Sequence, residues 1–342
     1  MPGSPRDAGS PSAPGAGPRL LAGALTRRSR RLCLGLDGGQ APILDKVTPT
    51  TAALLRWWFG RDAGEGHAPD FHPAQRQAIL NTLVAHEVLA GIDLPDLYLK
   101  ACPELLLESG LLGEITRPGH GHPQYGLVLA AGAGTIQVLL ALLAWQVLNA
   151  TGGRDRGDDD PRFSRRVLVV APDLDGLERL HQAFLGRLRP QGGRDFASAD
   201  VCACAGLLPP VWRERHLQWV REHAGAGAGT GPEAAASGML ALTHPGALAE
   251  AGGHLTAFLA GLPDLVVFNV AGRQRHGGDP LDVDEPAHWP ASLDRIAGHK
   301  GRHFVRIDLS PAPFQGLDDD PGTGTDPAWP AHRVVDPDLP DA

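Results

Sequence analysis

The residues best placed for chemistry run from Tyr125 to Val138: Tyr-Gly-Leu-Val-Leu-Ala-Ala-Gly-Ala-Gly-Thr-Ile-Gln-Val. An apolar run ends in two closely spaced glycines, Gly132 and Gly134, and an apolar helical pattern follows to Asn149. Strand, glycine turn and helix start, in that order, offer backbone N–H groups and a partial positive charge to an anion. The chemistry such a turn serves is the holding of a nucleotide's phosphates. Two side chains complete it: lysine directly after the last glycine, then serine or threonine for magnesium. Thr135 and Ile136 stand there instead. A lysine ~4 Å from a phosphate contributes about 4 kcal/mol at an effective dielectric of 20, and isoleucine offers magnesium no oxygen. Lys46, Lys100 and Lys300, the lysines of the chain, are all remote in sequence. The pattern predicts the scaffold of a nucleotide site without its cation and its metal ligand. An ordinary turn between a strand and its helix accounts for the same residues.

Cys202-Ala-Cys204, with His216 further on, invites a metal reading. On a strand the two thiols would share a side. A closed zinc site needs about four ligands and no second pair is present, so core cysteines are expected and no metal. The histidines at 120, 122, 244, 254, 276, 288, 299 and 303 have no metal-binding spacing, and no Gly-x-Ser-x-Gly elbow occurs.

The elements that must position these residues belong to a chain of 342 residues, long enough for one large domain or two small ones. A net charge of −8 argues against a chain built to coat nucleic acid, although scattered arginines leave room for a local basic surface. Four cysteines fit a reduced, cytoplasmic protein. No uninterrupted apolar run reaches ~18 residues, so no membrane span or membrane partner is expected. Residues 1–40, rich in Pro, Gly, Ser and Ala, are expected to be a disordered tail, with Arg27, Arg28, Arg30 and Arg31 as a solvated or basic arm. Residues 41–342 are expected to form a single lobe with loops at 151–163, 223–238 and 315–330.

Strands are predicted at Gly126–Ala131, Val167–Ala171, Asp200–Ala205, Met239–Thr243, Leu265–Asn269 and Phe304–Leu309. Helices are predicted at Pro73–Leu89, Gln137–Asn149, Leu174–Leu188, Val211–His223, Gly246–Leu259 and Pro290–Gly298. This alternation implies an α/β fold, a mostly parallel sheet with helices on both faces, whose ligands sit beyond the carboxyl ends of the strands.

Val47–Phe59, Phe71–Ile79, Tyr125–Asn149, Val167–Leu180, Leu262–Asn269 and Arg306–Phe314, in that order, resemble the DEAD/DEAH-type superfamily-two helicases. The likeness is in particular to the Res subunit of type III restriction enzymes, and it spans residues from about 47 to 342. It implies the first of that family's two RecA-like, P-loop NTPase-type lobes; the second lobe, with its arginine fingers, and the nuclease domain have no counterpart. By resemblance Gln75 would read adenine and Phe71 would stack on the base. Gly132, Gly134, Thr135 and Ile136 would occupy the phosphate loop. Val270 and Ala271 stand where the family has its magnesium-holding Asp and water-orienting Glu, and Arg273 where its His follows. Ser310 is kept from the coupling Ser-Ala-Thr motif, but Pro311 and Ala312 replace the other two. Val169–Leu174 would touch single-stranded nucleic acid by its backbone, with Arg179, Arg187 and Arg189 nearby.

The resemblance therefore implies ATP and magnesium as cofactors, neither expected to function here because no catalytic residue is retained. It implies DNA and a restriction-modification subunit as partners. Two other readings stay open: an active subunit fragment completed by a partner, and a non-catalytic DNA- or protein-binding module using its arginine-bearing helices and the Trp57-Trp58 face.

Overall fold

A computed structural model describes residues 16–60, 69–107, 111–116, 121–129, 134–154, 160–224, 238–250, 252–270, 289–311 and 333–335. The apolar runs become strands β1 (Gln124–Leu129), β2 (Arg166–Val170), β5 (Met239–Thr243), β6 (Leu265–Asn269) and β7 (Phe304–Pro311). Two-residue strands β3 (Arg187–Leu188) and β4 (Arg194–Asp195) make a small antiparallel ribbon, and β8 is Arg333–Val335. The main sheet has six strands in the order β5-β2-β6-β7-β1-β8, all paired in parallel. Every residue of β1, β2 and β6 is buried. That is why these strands read as continuous apolar runs rather than alternating ones.

Side-chain alternation divides the core in two. Leu127, Val169, Val266, Phe268 and Ile307 face helices α1 (Ala16–Leu32), α2 (Pro49–Phe59), α3 (Pro73–Leu83), α6 (Thr135–Arg154), α7 (Leu174–Leu185) and α9 (Pro210–His223). Leu168, Val170, Ala241, Val267 and Phe304 face α10 (Pro245–Glu250), α11 (Gly252–Gly261) and α12 (Trp289–Lys300). The remaining helices are α4 (Leu94–Ala101), α5 (Leu111–Ile115) and α8 (Asp200–Ala203).

Helix α6 is the central pillar. Its Thr135–Gly152 stretch is long and apolar enough to cross a membrane by length and composition, but 67% of it is buried inside the protein. Its apolar surface is met by the sheet and by α2 and α3, as in a core helix that is hydrophobic all round.

Four expectations need correction. Residues 16–40 are not a disordered tail: α1 buries Leu21 and Leu25 completely, one helical turn apart. Its Ser29 hydroxyl donates to Asn81 Oδ1 of α3 at 2.8 Å. The Pro/Gly bias belongs to residues 1–15, outside the described residues, while the Leu, Ala and Arg that follow are good helix formers. Asp200–Ala205 is not a strand but the short helix α8 followed by a 3₁₀ turn, closed by Cys204 N–H donating to Asp200 O at 2.7 Å. Helix α7 stops at Leu185 rather than Leu188, because Gly186 turns left-handed (φ +87°) and lies so close to Asp195 O that a Cβ has no room. The predicted loop 151–163 loses its first four residues to α6. Loops 223–238 and 315–330 lie almost wholly outside the described residues.

Candidate functional site

The glycine turn sits where the sequence puts it, between the carboxyl end of β1 and the start of α6. Residues 130–133, Gly132 among them, lie outside the described residues. Gly134 is left-handed at φ +71° and accepts the N–H of Gln137 at 3.0 Å, opening the helix. Thr135 and Ile136 are half-buried, and Ile136 packs on the core.

Gln75 comes to this turn from α3, 59 positions earlier. Pro73 at the first helical position and His72 as cap start that helix, and Gln75 closes a capping box: its Oε1 accepts the His72 N–H at 2.9 Å. Its Nε2 donates to Gly134 O and to Gln137 Oε1, both at 3.2 Å. Gln75 is buried, not the surface residue that a helix start would suggest. Both ends of its amide are used within the protein, so reading an adenine edge would require breaking these bonds. Phe71 is half-buried and packs its ring against Phe59 (5.6 Å between centroids) and Trp58 (6.2 Å).

The other positions carried by the resemblance fall on neighbouring strands. Val270, just past β6, continues the ladder by donating to Val170 O at 2.8 Å and packs on the α6 side of the core. Ser310 lies in β7 opposite Val128 of β1. Ala271, Arg273 and Ala312 lie outside the described residues.

One carboxylate near this edge escaped the sequence reading. Asp308 of β7 is the register partner of Asn269, the last residue of β6. Asn269 Nδ2 donates to Asp308 Oδ1 at 2.6 Å, Arg306 Nε to the same oxygen at 2.9 Å, and Gln124 Nε2 to Oδ2 at 3.3 Å. The i, i+2 spacing of Arg306 and Asp308 on a strand was the sequence signal for it, since it puts both on one face. It does not replace the missing acid. Asp308 alternates with Ile307 and Leu309 of the α6-side core, and so lies on the opposite face from α6. Its other register partner is Gly126, three residues before β1 ends.

The lysines lie elsewhere. Lys300 is buried, donates to Ala260 O at 3.1 Å and to Leu262 O, and burial lowers its pKa. Lys100 pairs with Asp96 at 2.7 Å. Lys46 stands two residues before Thr48, which bonds Asn149. Asn149 is fourteen residues along α6 from Thr135, roughly 21 Å at 1.5 Å per residue. These side chains do not fit a magnesium nucleotide: the lysines stand away from the turn, the Gln75 amide is spent within the protein, and the carboxylate beside β6 is engaged on the face opposite α6.

The arginines offered for nucleic acid are exposed but mixed with acids. Arg189 pairs with Asp195 at 2.8 Å, and Arg194 with Glu178 at 2.6 Å. Asp173, Asp175 and Glu178 share the exposed surface of α7 with Arg179. Trp57 and Trp58 are no open face either: their Nε1 atoms donate to Gly206 O (2.9 Å) and Leu207 O (2.7 Å). On helix α8 and its following turn, Cys202 and Cys204 stand roughly 200° apart at 100° per residue rather than on one side. The Cys202 thiol donates to Phe196 O at 3.2 Å, while Cys204 lines a small cavity with His216. Among the described residues no three His, Cys, Asp or Glu gather closely enough to hold a metal ion.

The densest polar cluster lies at the amino edge of the sheet, and the sequence reading missed it. A π-turn at Val84–Val88, closed by Leu89 N–H to Val84 O at 2.9 Å, carries both His86 and Glu87 inward. Glu87 accepts from Thr48 N (2.8 Å), Thr51 Oγ1 (2.5 Å) and Trp145 Nε1 (2.7 Å). Burial raises its pKa. His86 bonds Tyr125 OH at 3.1 Å and Arg162 O at 2.8 Å, and burial lowers its pKa to about 4. Its ring meets those of Tyr125, Trp145 and Phe163 edge-on. The cluster joins α2, α3, α6, β1 and the approach to β2.

No protein-family model, curated protein or solved structure matches this chain.

Proposed function

We propose that this chain is a RecA-like lobe of helicase type whose nucleotide-hydrolysing groups are replaced, and that it acts as a non-catalytic scaffold. One observation carries the reading. Positions distant in sequence lie along the carboxyl edge of one parallel sheet: Gln75 of α3 bonds Gly134 in the turn after β1, and Ser310 and Val270 stand at the ends of the adjacent strands β7 and β6. That edge is where ligands of such folds bind. Family hydrolysis needs a metal and a positioned base, and among the described residues the side chains at the edge supply neither. A reduced, cytoplasmic setting agrees with four free cysteines.

The experiment is a pair of measurements. ATP binding and magnesium-dependent hydrolysis are measured on the purified chain. They are then repeated after Thr135→Lys, Ile136→Thr, Val270→Asp and Ala271→Glu are introduced together. No turnover before and nucleotide binding after is the expected result. Turnover by the unaltered protein sinks the inactive reading, and a folded quadruple variant that still ignores ATP sinks the RecA-like one.

A further inference from the structure

Helix α1 divides its side chains between two faces. Leu21, Leu25 and Ser29, one helical turn apart, are buried against the body of the protein. Arg27, Arg30 and Arg31 stand on the opposite face and are exposed. Between Asp7 and Asp37 the chain has no acidic residue. Helices α3 and α4 extend this basic surface on either side. On the α3 side Gln77 Nε2 donates to Ser29 Oγ at 2.8 Å. Burial pushes the Cys33 thiol up to about 11, and the nearby Arg76 guanidinium opposes that rise. Arg76 is itself exposed, over the Phe59 ring at 4.9 Å. On the α4 side Arg28 Nη1 donates to the carbonyl of exposed Lys100 at 3.0 Å. The acids nearby are Asp96, held by Lys100 at 2.7 Å, Glu104, which stands near Cys102 as Arg27 does, and Asp37 beyond the end of α1. Among the described residues Arg27 and Arg31 make no ion pair. Leu34, two residues past α1, is 70% exposed, and Leu99, next to Lys100, is 57% exposed. Aliphatic groups set among cations suit a lipid surface, whereas a bare phosphate backbone has no use for them.

We propose that this face of α1, flanked by Arg76 and Lys100, docks on an anionic membrane surface, with the arginines among the lipid headgroups and Leu34 at the acyl boundary. Clustered Lys and Arg side chains are drawn to the negative potential of a leaflet that carries acidic phospholipids. Ser29 donates to Asn81 Oδ1 and accepts from Gln77, which pins α1 to α3. The arginines are therefore presented by a fixed helix rather than a loose arm, and little order has to be gained on docking. The net charge of −8 does not oppose this. Exposed charges more than about 8 Å apart are largely screened at physiological salt, so the local face decides. No membrane span is involved, because a surface contact of this kind needs only cations and shallow apolar groups. A lipid surface is a partner that the sequence did not lead one to expect.

The purified full chain is sedimented with phosphatidylcholine vesicles and with vesicles in which about a third of the lipid is phosphatidylserine. Binding to the second and not to the first, weakening as salt is raised, is the expected result. Arg27→Gln, Arg31→Gln and Arg76→Gln together keep good helix formers, remove three cations and are expected to weaken binding about tenfold or more. Leu34→Asp is expected to weaken it about threefold or more. No binding to the anionic vesicles, equal binding to the neutral ones, or unchanged binding by the folded triple variant overturns the proposal. So does tighter binding to duplex DNA at equal phosphate, which assigns the face to nucleic acid. If the triple variant does not fold, Leu34→Asp, at an exposed position outside the helix, decides: unchanged binding there overturns the proposal, and weakened binding supports it.

Discussion

The amino and carboxyl edges of this one sheet treat polar groups in opposite ways. At the amino edge Glu87, Thr51, Trp145 and Asn149 are buried and bonded to one another across α2, the π-turn and α6, and His86 beside them bonds Tyr125 and Arg162. At the carboxyl edge, among the described residues, Gln75 is the side chain that holds the turn at Gly134, and the neighbouring positions are Thr135, Ile136 and Val270. In a low-dielectric interior a satisfied polar network is strong and a broken one is costly. The difference therefore separates stability from chemistry. The amino edge is a tightly satisfied joint; the carboxyl edge, among the described residues, carries few groups able to act.

The sharpest way to break this comparison is Glu87→Ala. Three donors lose their buried acceptor, at ~1–3 kcal/mol for each group left unsatisfied. A loss of about 3–5 kcal/mol by urea denaturation is expected, with Glu87→Gln much milder. A loss below about 1 kcal/mol would show that the joint is ornamental.

Acid should destabilise the fold at that joint and at α9. His86 and His216 each fall to about 4 in the folded chain, from an ordinary 6.5. The unfolded chain therefore takes up these protons first. The stability they contribute is complete above pH 6.5 and is lost as pH falls towards 4, on the order of 3 kcal/mol for each. Glu87, raised by burial, pulls the other way as it protonates. Denaturation midpoints measured from pH 7 to pH 4 should fall, and fall less in a folded His216→Phe.

At the carboxyl edge the expected effects are smaller. Gly134→Ala places a Cβ against Gln75 Nε2 at a left-handed φ of +71°. It should cost about 1–3 kcal/mol, and part of that should vanish in a Gln75→Ala background, where the collision is gone. Equal costs in both backgrounds would leave backbone strain as the whole effect. Smallest of all, Arg189→Ala removes an exposed pair with Asp195 and should change stability by less than about 1 kcal/mol.

Much of the sheet was legible because its strands are buried on both faces, which forces apolar runs such as Arg166–Val170 and Leu265–Asn269. Helix α6 was legible for the same reason. Helix α1 was not, because its apolar contacts are few and spaced among arginines, next to a Pro/Gly-rich leader. Asp200–Ala205 misled because a six-residue stretch is too short for periodicity to tell strand from helix. At the candidate site, the loss of lysine and acids was visible directly in Thr135, Ile136 and Val270. The engagement of Gln75 was not, since its partners Gly134 and Gln137 lie some sixty residues away.

The sequence by itself determined the parallel α/β plan and the chemical poverty of the glycine turn, because side-chain identity and local periodicity are properties of neighbours along the chain. Only the tertiary structure decided which polar groups satisfy one another. It placed Glu87 under Trp145, Asp308 beside Asn269, and Gln75 against Gly134. Burial and hydrogen bonding between distant residues depend on how the elements pack, and no reading of neighbours along the chain contains that information.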